Sequence, residues 1–162
     1  MTETIRVGIS EIKVTEYPNK LRTAGLGSCV GIILYDRYMG IAGMAHCMLP
    51  DHTIFKNAPQ QFPGKFVDTA IQELLKDLAL RGSRPGHLMA KLAGGAEMFK
   101  FSDRSMARIG ERNIQASKRA LEASQIPLVA EETGGQFGRT IEFDIATSLL
   151  HIRTATQGER QI

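Results

Sequence analysis

Residues 21–50 read LRTAGLGSCVGIILYDRYMGIAGMAHCMLP, and the pattern of this stretch decides the fold. Two runs of aliphatic and small residues, Cys29–Tyr35 and Ile41–Met48, flank Asp36-Arg37-Tyr38-Met39-Gly40, a polar segment of turn composition. They read as an antiparallel hairpin, in which opposed residues share a constant sum of residue numbers. Closing it at Asp36 and Met39, or at Tyr35 and Gly40, makes that sum 75, which is also the sum for Cys29 and His46. The expectation is a thiol directly opposite an imidazole, with β-carbons roughly 4.5–5.5 Å apart. A three-residue loop would instead oppose Val30 to His46 and send the two side chains to opposite faces.

Outward from this hairpin, short β-branched or aliphatic runs predict strands at Ile5–Ile9, Ile12–Thr15, Leu21–Gly25, Leu88–Ala93, Leu128–Glu131, Thr140–Asp144 and Leu149–Thr154, the last two joined by a turn at 144–148. Apolar residues at helical spacing predict helices over Lys65–Arg81, stopped by Gly82, and Glu111–Gln125, stopped before Pro127. Most neighbouring strands can join by hairpins. The expected class is therefore α+β (mixed α/β), with mainly antiparallel sheets and two or three helices packed outside. Pro50–Gly64 has three prolines and no periodicity, and reads either as a lid or binding loop or as a plain surface connection.

The 162 residues fit one domain, 1–162, with loose ends at about 1–4 and 155–162. Hydrophobic residues at 43% and charged residues at 23% are values of a soluble globular protein. The net charge of +3 is spread over both halves and aromatics are only 6%, which argues against a nucleic-acid face. Arg104, Arg108 and Arg112 have i, i+4 spacing, but Asp103 and Glu111 interrupt the stripe, as in a solvated face. The longest apolar run, Val30 to Tyr35, is far below the ~18 residues of a membrane helix. Charged residues in the first fifteen positions leave no signal-peptide core, so the expectation is a cytoplasmic protein without membrane insertion.

A thiol beside an imidazole can become a thiolate nucleophile, since an imidazolium lowers the cysteine pKa. Gly27-Ser28-Cys29 also exposes backbone N–H groups suited to a developing oxyanion. Thr23, six residues before Cys29, has a hydroxyl that can orient the histidine. Spacing alone leaves the blander readings open: a cysteine followed by VGIIL is more often an inert core residue, and a histidine within AGMAHCML a satisfied buried one. A metal site from His46, Cys47 and His52 is disfavoured, because adjacent strand residues point to opposite faces.

LGSCVGIILYD, GIAGMAHCMLP, KLAGGAEMF, IGERNI and AEETGGQFGRTIEFD together closely resemble CheD, the chemoreceptor glutamine deamidase family, over about residues 5 to 153. The spacings of 17 from Cys29 to His46 and 6 from Thr23 to Cys29 match that family's catalytic pattern. The resemblance implies a toxin-type cysteine deamidase fold, with Cys29 as nucleophile, His46 as general base and Thr23 as the residue orienting the histidine. It implies hydrolysis of specific receptor glutamines to glutamate through a thioester, with no cofactor and no metal, and with methylesterase activity accessible by the same route. The expected partners are the cytoplasmic regions of methyl-accepting chemotaxis receptors. The alternative it implies is a regulatory partner of a CheC-type phosphatase; Phe99, beside the polar run Lys100–Asp103, is either a plug of the core or the candidate anchor for that partner.

Overall fold

A computed structural model describes residues 1–54, 62–98 and 107–162. Among these described residues, ten strands form two five-stranded sheets: β1 (Thr4–Arg6), β2 (Ile12–Glu16), β3 (Lys20–Leu26), β4 (Val30–Asp36), β5 (Ile41–Cys47), β6 (Leu88–Gly94), β7 (Leu128–Thr133), β8 (Arg139–Asp144), β9 (Leu149–Arg153) and β10 (Glu159–Gln161). One sheet runs β2-β5-β4-β6-β7 and the other β1-β3-β8-β9-β10. Among these described strands, the β1–β3 and β6–β7 pairings are parallel and the others antiparallel. The α+β class with mainly antiparallel sheets is the one found, and among the described residues the α-helices are two, α1 (Val67–Leu80) and α2 (Ile109–Ala123).

The layers follow from burial. The sheet containing β4 and β5 is covered on both faces, so those strands are near-continuous apolar runs, VGIILYD and IAGMAHC, with every residue buried and only Asp36 and His46 strongly polar. Val30, Ile32, Leu34, Ala45 and Cys47 pack on one side against Ala70, Ile71, Leu74 and Leu78 of α1 and Ile114 and Leu121 of α2. Ile33, Tyr35, Ala42 and Met44 pack on the other side against Leu21, Leu26, Ile141, Phe143, Leu150 and Ile152 of the second sheet. That second sheet has water on its far side, and β8 alternates accordingly: Ile141 and Phe143 are buried inward, and Thr140, Glu142 and Asp144 alternate with them on the half-exposed side.

Two expectations are corrected. Residues 155–162 are not a loose end: Glu159–Gln161 pairs with β9, and Ile162 exchanges backbone hydrogen bonds with Leu150. A three-residue, polar, exposed strand carries no alternating apolar signal, which is why the sequence pattern misses it. Nor does the first strand run to Ile9. The chain leaves one sheet after Arg6 and enters the other at Ile12, and the corner between them turns at Gly8 and at Ser10, whose φ is +65°.

Candidate active site

The β4–β5 hairpin pairs Asp36 with Ile41 and Val30 with Cys47. Its turn is residues 37–40, tightened because the Asp36 carboxylate accepts the N–H groups of Tyr38 and Met39 at 3.0 and 3.1 Å. This moves the register two residues from the expected one, so Gly31, not Cys29, stands opposite His46. A two-residue shift preserves faces. Cys29, just beyond the end of β4, packs with the cluster between the sheets, whereas Cys47 belongs to the cluster under the helices. Cys29 and His46 are thus diagonal neighbours on one side of the sheet, a relation that spans roughly 7–8 Å across a regular ladder.

Glycine at position 31 lets the sheets close at this point. A β-carbon there would lie 2.6 Å from Ile141 Cδ1 and 3.3 Å from Leu26 Cδ1, both on the opposing sheet. With the sheets this close, Thr23 Oγ1 on β3 reaches His46 Nδ1 at 2.7 Å, and the same hydroxyl lies 2.6 Å from the Val7 carbonyl. The protons can be assigned. A hydroxyl has one proton and a carbonyl can only accept, so Thr23 donates to Val7 and must accept from Nδ1–H. The imidazole is held as the Nδ1–H tautomer, with an unprotonated Nε2. That Nε2 is buried and makes no hydrogen bond among the described residues. A nitrogen lone pair facing no donor is the free base a nucleophilic thiol requires.

Burial sets the resting charges. Desolvation pushes the Cys29 thiol above its ordinary 9.0, offset in part by its own backbone N–H. Desolvation pulls His46 below its ordinary 6.5. At neutral pH the pair is therefore thiol and imidazole, not the thiolate and imidazolium that adjacency alone suggests, and the proton moves during reaction. Cys47 is wholly buried, and desolvation raises its thiol far beyond the range of reactive cysteines.

The site sits where the chain passes twice between sheets, at residues 7–11 and 27–29. The first crossing supplies the Val7 carbonyl to Thr23, and it also pins the His46 backbone: Ser10 N–H donates to His46 O at 2.9 Å, and His46 N–H to Glu11 O at 3.2 Å. At the second, Gly95 N–H and Ala96 N–H donate to the carbonyls of Cys29 and Gly27. The sequence reading missed Val7, whose contribution is a backbone carbonyl that carries no residue-type signal. It also missed Asn113 on α2, whose amide reaches Ser28 O and Met48 O at 2.9 and 3.0 Å. His52 lies away from this group, its Nδ1 against the Asp68 carboxylate, and His46 and Cys47 face opposite sides. Phe99 lies outside the described residues.

The family model described as CheD chemotactic sensory transduction matches residues 48–154, a span that begins just after His46. Curated relatives cover the rest. The chain is 48% identical to the chemoreceptor glutamine deamidase CheD of Bacillus subtilis, over 98% of this chain and 95% of that one. It is 48% identical to the protein of that name from Halalkalibacterium halodurans over the whole of both chains, and 50% identical to a probable one from Clostridium botulinum over 86% of each. Among solved structures, a Neisseria meningitidis protein of the DUF152 family aligns over 82% of this chain and 64% of its own, at 10% identity and a TM-score of 0.47.

Proposed function

This chain belongs to the CheD family, and from that membership we propose that it hydrolyses glutamine side chains of chemoreceptors to glutamate, with Cys29, His46 and Thr23 as its machinery. His46 Nε2 takes the Cys29 proton as Sγ attacks the carboxamide carbon, so the reactive thiolate exists only with substrate present. The negative oxygen of the tetrahedral intermediate lies against the N–H groups of the Ser28–Cys29 turn. Imidazolium Nε2–H then protonates the departing nitrogen, and ammonia leaves an acyl thioester on Cys29. His46, neutral again, deprotonates a water that attacks the thioester, and glutamate and free thiol are released. Carbon, nitrogen and protons balance without a cofactor. Glutamyl methyl esters enter the same thioester with methanol leaving in place of ammonia.

The observation that carries this reading is the proton assignment at Thr23. The Val7 carbonyl accepts the hydroxyl hydrogen bond, and Nε2 is left basic, with no hydrogen-bond partner among the described residues. The receptors' cytoplasmic regions are the substrates proposed, with the protein acting in the cytoplasm. Among the described residues no helix is long and apolar enough to cross a membrane.

The test is mass spectrometry of a receptor cytoplasmic fragment incubated with wild type and with Cys29→Ala. Amide-to-acid conversion is expected at particular glutamines with wild type and none above background with the variant. Conversion by Cys29→Ala at a comparable rate would remove Cys29 from the mechanism.

A further inference from the structure

Beyond the Val30–Cys47 pair the two central strands part. The segment preceding β4 stays with β6, through Gly95 N–H to Cys29 O and Ala96 N–H to Gly27 O. The segment following β5 turns the other way, with Met48 N–H and Leu49 N–H both donating to Lys65 O. A gap opens between the strand that carries the thiol and the strand that carries the imidazole. Asn113, fully buried on α2, bridges it. Its Nδ2 has two protons and spends one on Ser28 O at 2.9 Å and one on Met48 O at 3.0 Å. In effect the side chain supplies the rung that the ladder lacks.

The position of Asn113 is itself fixed from the site. A β-carbon on Gly110 would lie 2.4 Å from Ala96 O and 2.5 Å from Gly95 O, so the first turn of α2 sits flush on the end of β6. Glu97 Oε1 accepts the Glu111 N–H at 3.0 Å and closes that end of the helix. The backbone that holds Cys29 and Gly27 therefore also seats the helix that holds Ser28 and Met48.

We propose that Asn113 is a positioning residue of the reaction: through Ser28 and Met48 it sets the separation of Cys29 from His46 and aims the Cys29 N–H. The second effect follows from peptide geometry. In a trans, planar peptide the N–H points away from the preceding C=O. With Ser28 C=O held toward α2, the Cys29 N–H is turned to the opposite side, between the sheets, where the Cys29 side chain packs. That N–H offsets part of the desolvation of the thiol, and it is a donor for the oxyanion. Without Asn113 the Ser28–Cys29 peptide is free to rotate and both contributions weaken.

The inference rests on the reading of Cys29 as nucleophile, and its test separates the two. Wild type, Asn113→Ala and Asn113→Asp are each reacted with iodoacetamide across pH, and Cys29 labelling in the folded fraction is read by peptide mapping. This readout needs no receptor. The Cys29 labelling midpoint is expected to rise by about half a pH unit or more in Asn113→Ala and further in Asn113→Asp, whose carboxylate faces two carbonyls. Receptor deamidation should show kcat down about tenfold or more with KM within about twofold. If Asn113→Ala does not fold, Asn113→Ser, with one hydroxyl donor, is judged by the same criteria. A wild-type midpoint and wild-type kcat per folded molecule, whatever happens to melting temperature, would overturn the proposal. A shifted midpoint in a protein whose wild type releases no ammonia would leave Asn113 as the positioning residue of the thiol and refute the deamidase reading alone.

Discussion

Thr23→Val tests the proton assignment on which the site depends. Valine is isosteric with threonine, and position 23 is 2% exposed, so the change swaps a hydroxyl for a methyl without opening a cavity. It orphans two buried groups, His46 Nδ1–H and the Val7 carbonyl. Each buried orphan costs about 1–3 kcal/mol, and partial relaxation brings the pair to about 3 kcal/mol. At about 2–4 °C per kcal/mol for a domain of this size, the melting temperature should fall by about 6–12 °C. The kinetic effect has a different origin. Losing the Nδ1 acceptor removes about 0.5–1.5 kcal/mol of preference for the tautomer with basic Nε2, and so up to about tenfold in rate. Freedom of the ring adds misorientation, for a total of about ten- to a hundredfold in kcat. KM should stay near wild type, because the Thr23 hydroxyl is committed to the Val7 carbonyl and His46 Nδ1 and acts on the receptor only through the histidine. Ammonia release from a receptor fragment, measured against substrate concentration, gives both constants. Thr23→Ser restores the hydroxyl and should recover activity to within about threefold. A folded Thr23→Val enzyme with wild-type kcat, or a Thr23→Ser enzyme as slow as the valine variant, would refute the assignment.

Iodoacetamide at neutral pH should label Cys29 ahead of Cys47, because Cys29 is partly exposed and Cys47 is sealed beneath the helices; mapping that finds Cys47 labelled first in folded protein contradicts the placement. Cys47→Ser should lower stability by about 1–3 kcal/mol in urea titration, with kcat retained. Burial holds the folded His46 below 6.5, so as pH falls the unfolded chain takes the proton first. Stability should decline from about pH 6.5 downward, and the acid limb of kcat/KM should have its midpoint below 6.5; a midpoint above that value would be incompatible with a desolvated base. Gly31→Ala should drive a methyl against Ile141, cost about 1–3 kcal/mol and slow turnover by parting the sheets at the Thr23–His46 bond; wild-type kcat and melting temperature together would show that the close approach does not matter.

The hairpin and its parity were legible because side-chain period in a strand is 2, and any even slip keeps Cys29 and His46 on one face. The register itself was not. Asp36 folds back on the N–H groups of Tyr38 and Met39, so the turn takes up four residues between Asp36 and Ile41, a choice settled by one carboxylate and not by apolar pattern. The helices were readable to within about two residues from their stripes. What could not be read was anything carried by the backbone or by a distant element: the Val7 carbonyl, the sheet-to-sheet corner at 7–11, and the reach of Asn113 across 85 residues to Ser28. Single-sequence periodicity reports which face a residue takes, and says nothing about which carbonyl lies over it. The expected depression of the Cys29 pKa failed for a related reason. Adjacency of thiol and imidazole is visible in sequence, whereas the water removed by two stacked sheets is not.

Because the threonine and the histidine stand on different sheets, the working imidazole is a product of sheet docking. A refolding chain that has assembled β4, β5 and their helices possesses both thiol and imidazole, yet the ring can carry its proton on either nitrogen until β3 closes over it. Enzymatic competence should therefore trail secondary structure in time. It should emerge with the slow, long-range step that brings residues 20–26 against 41–47.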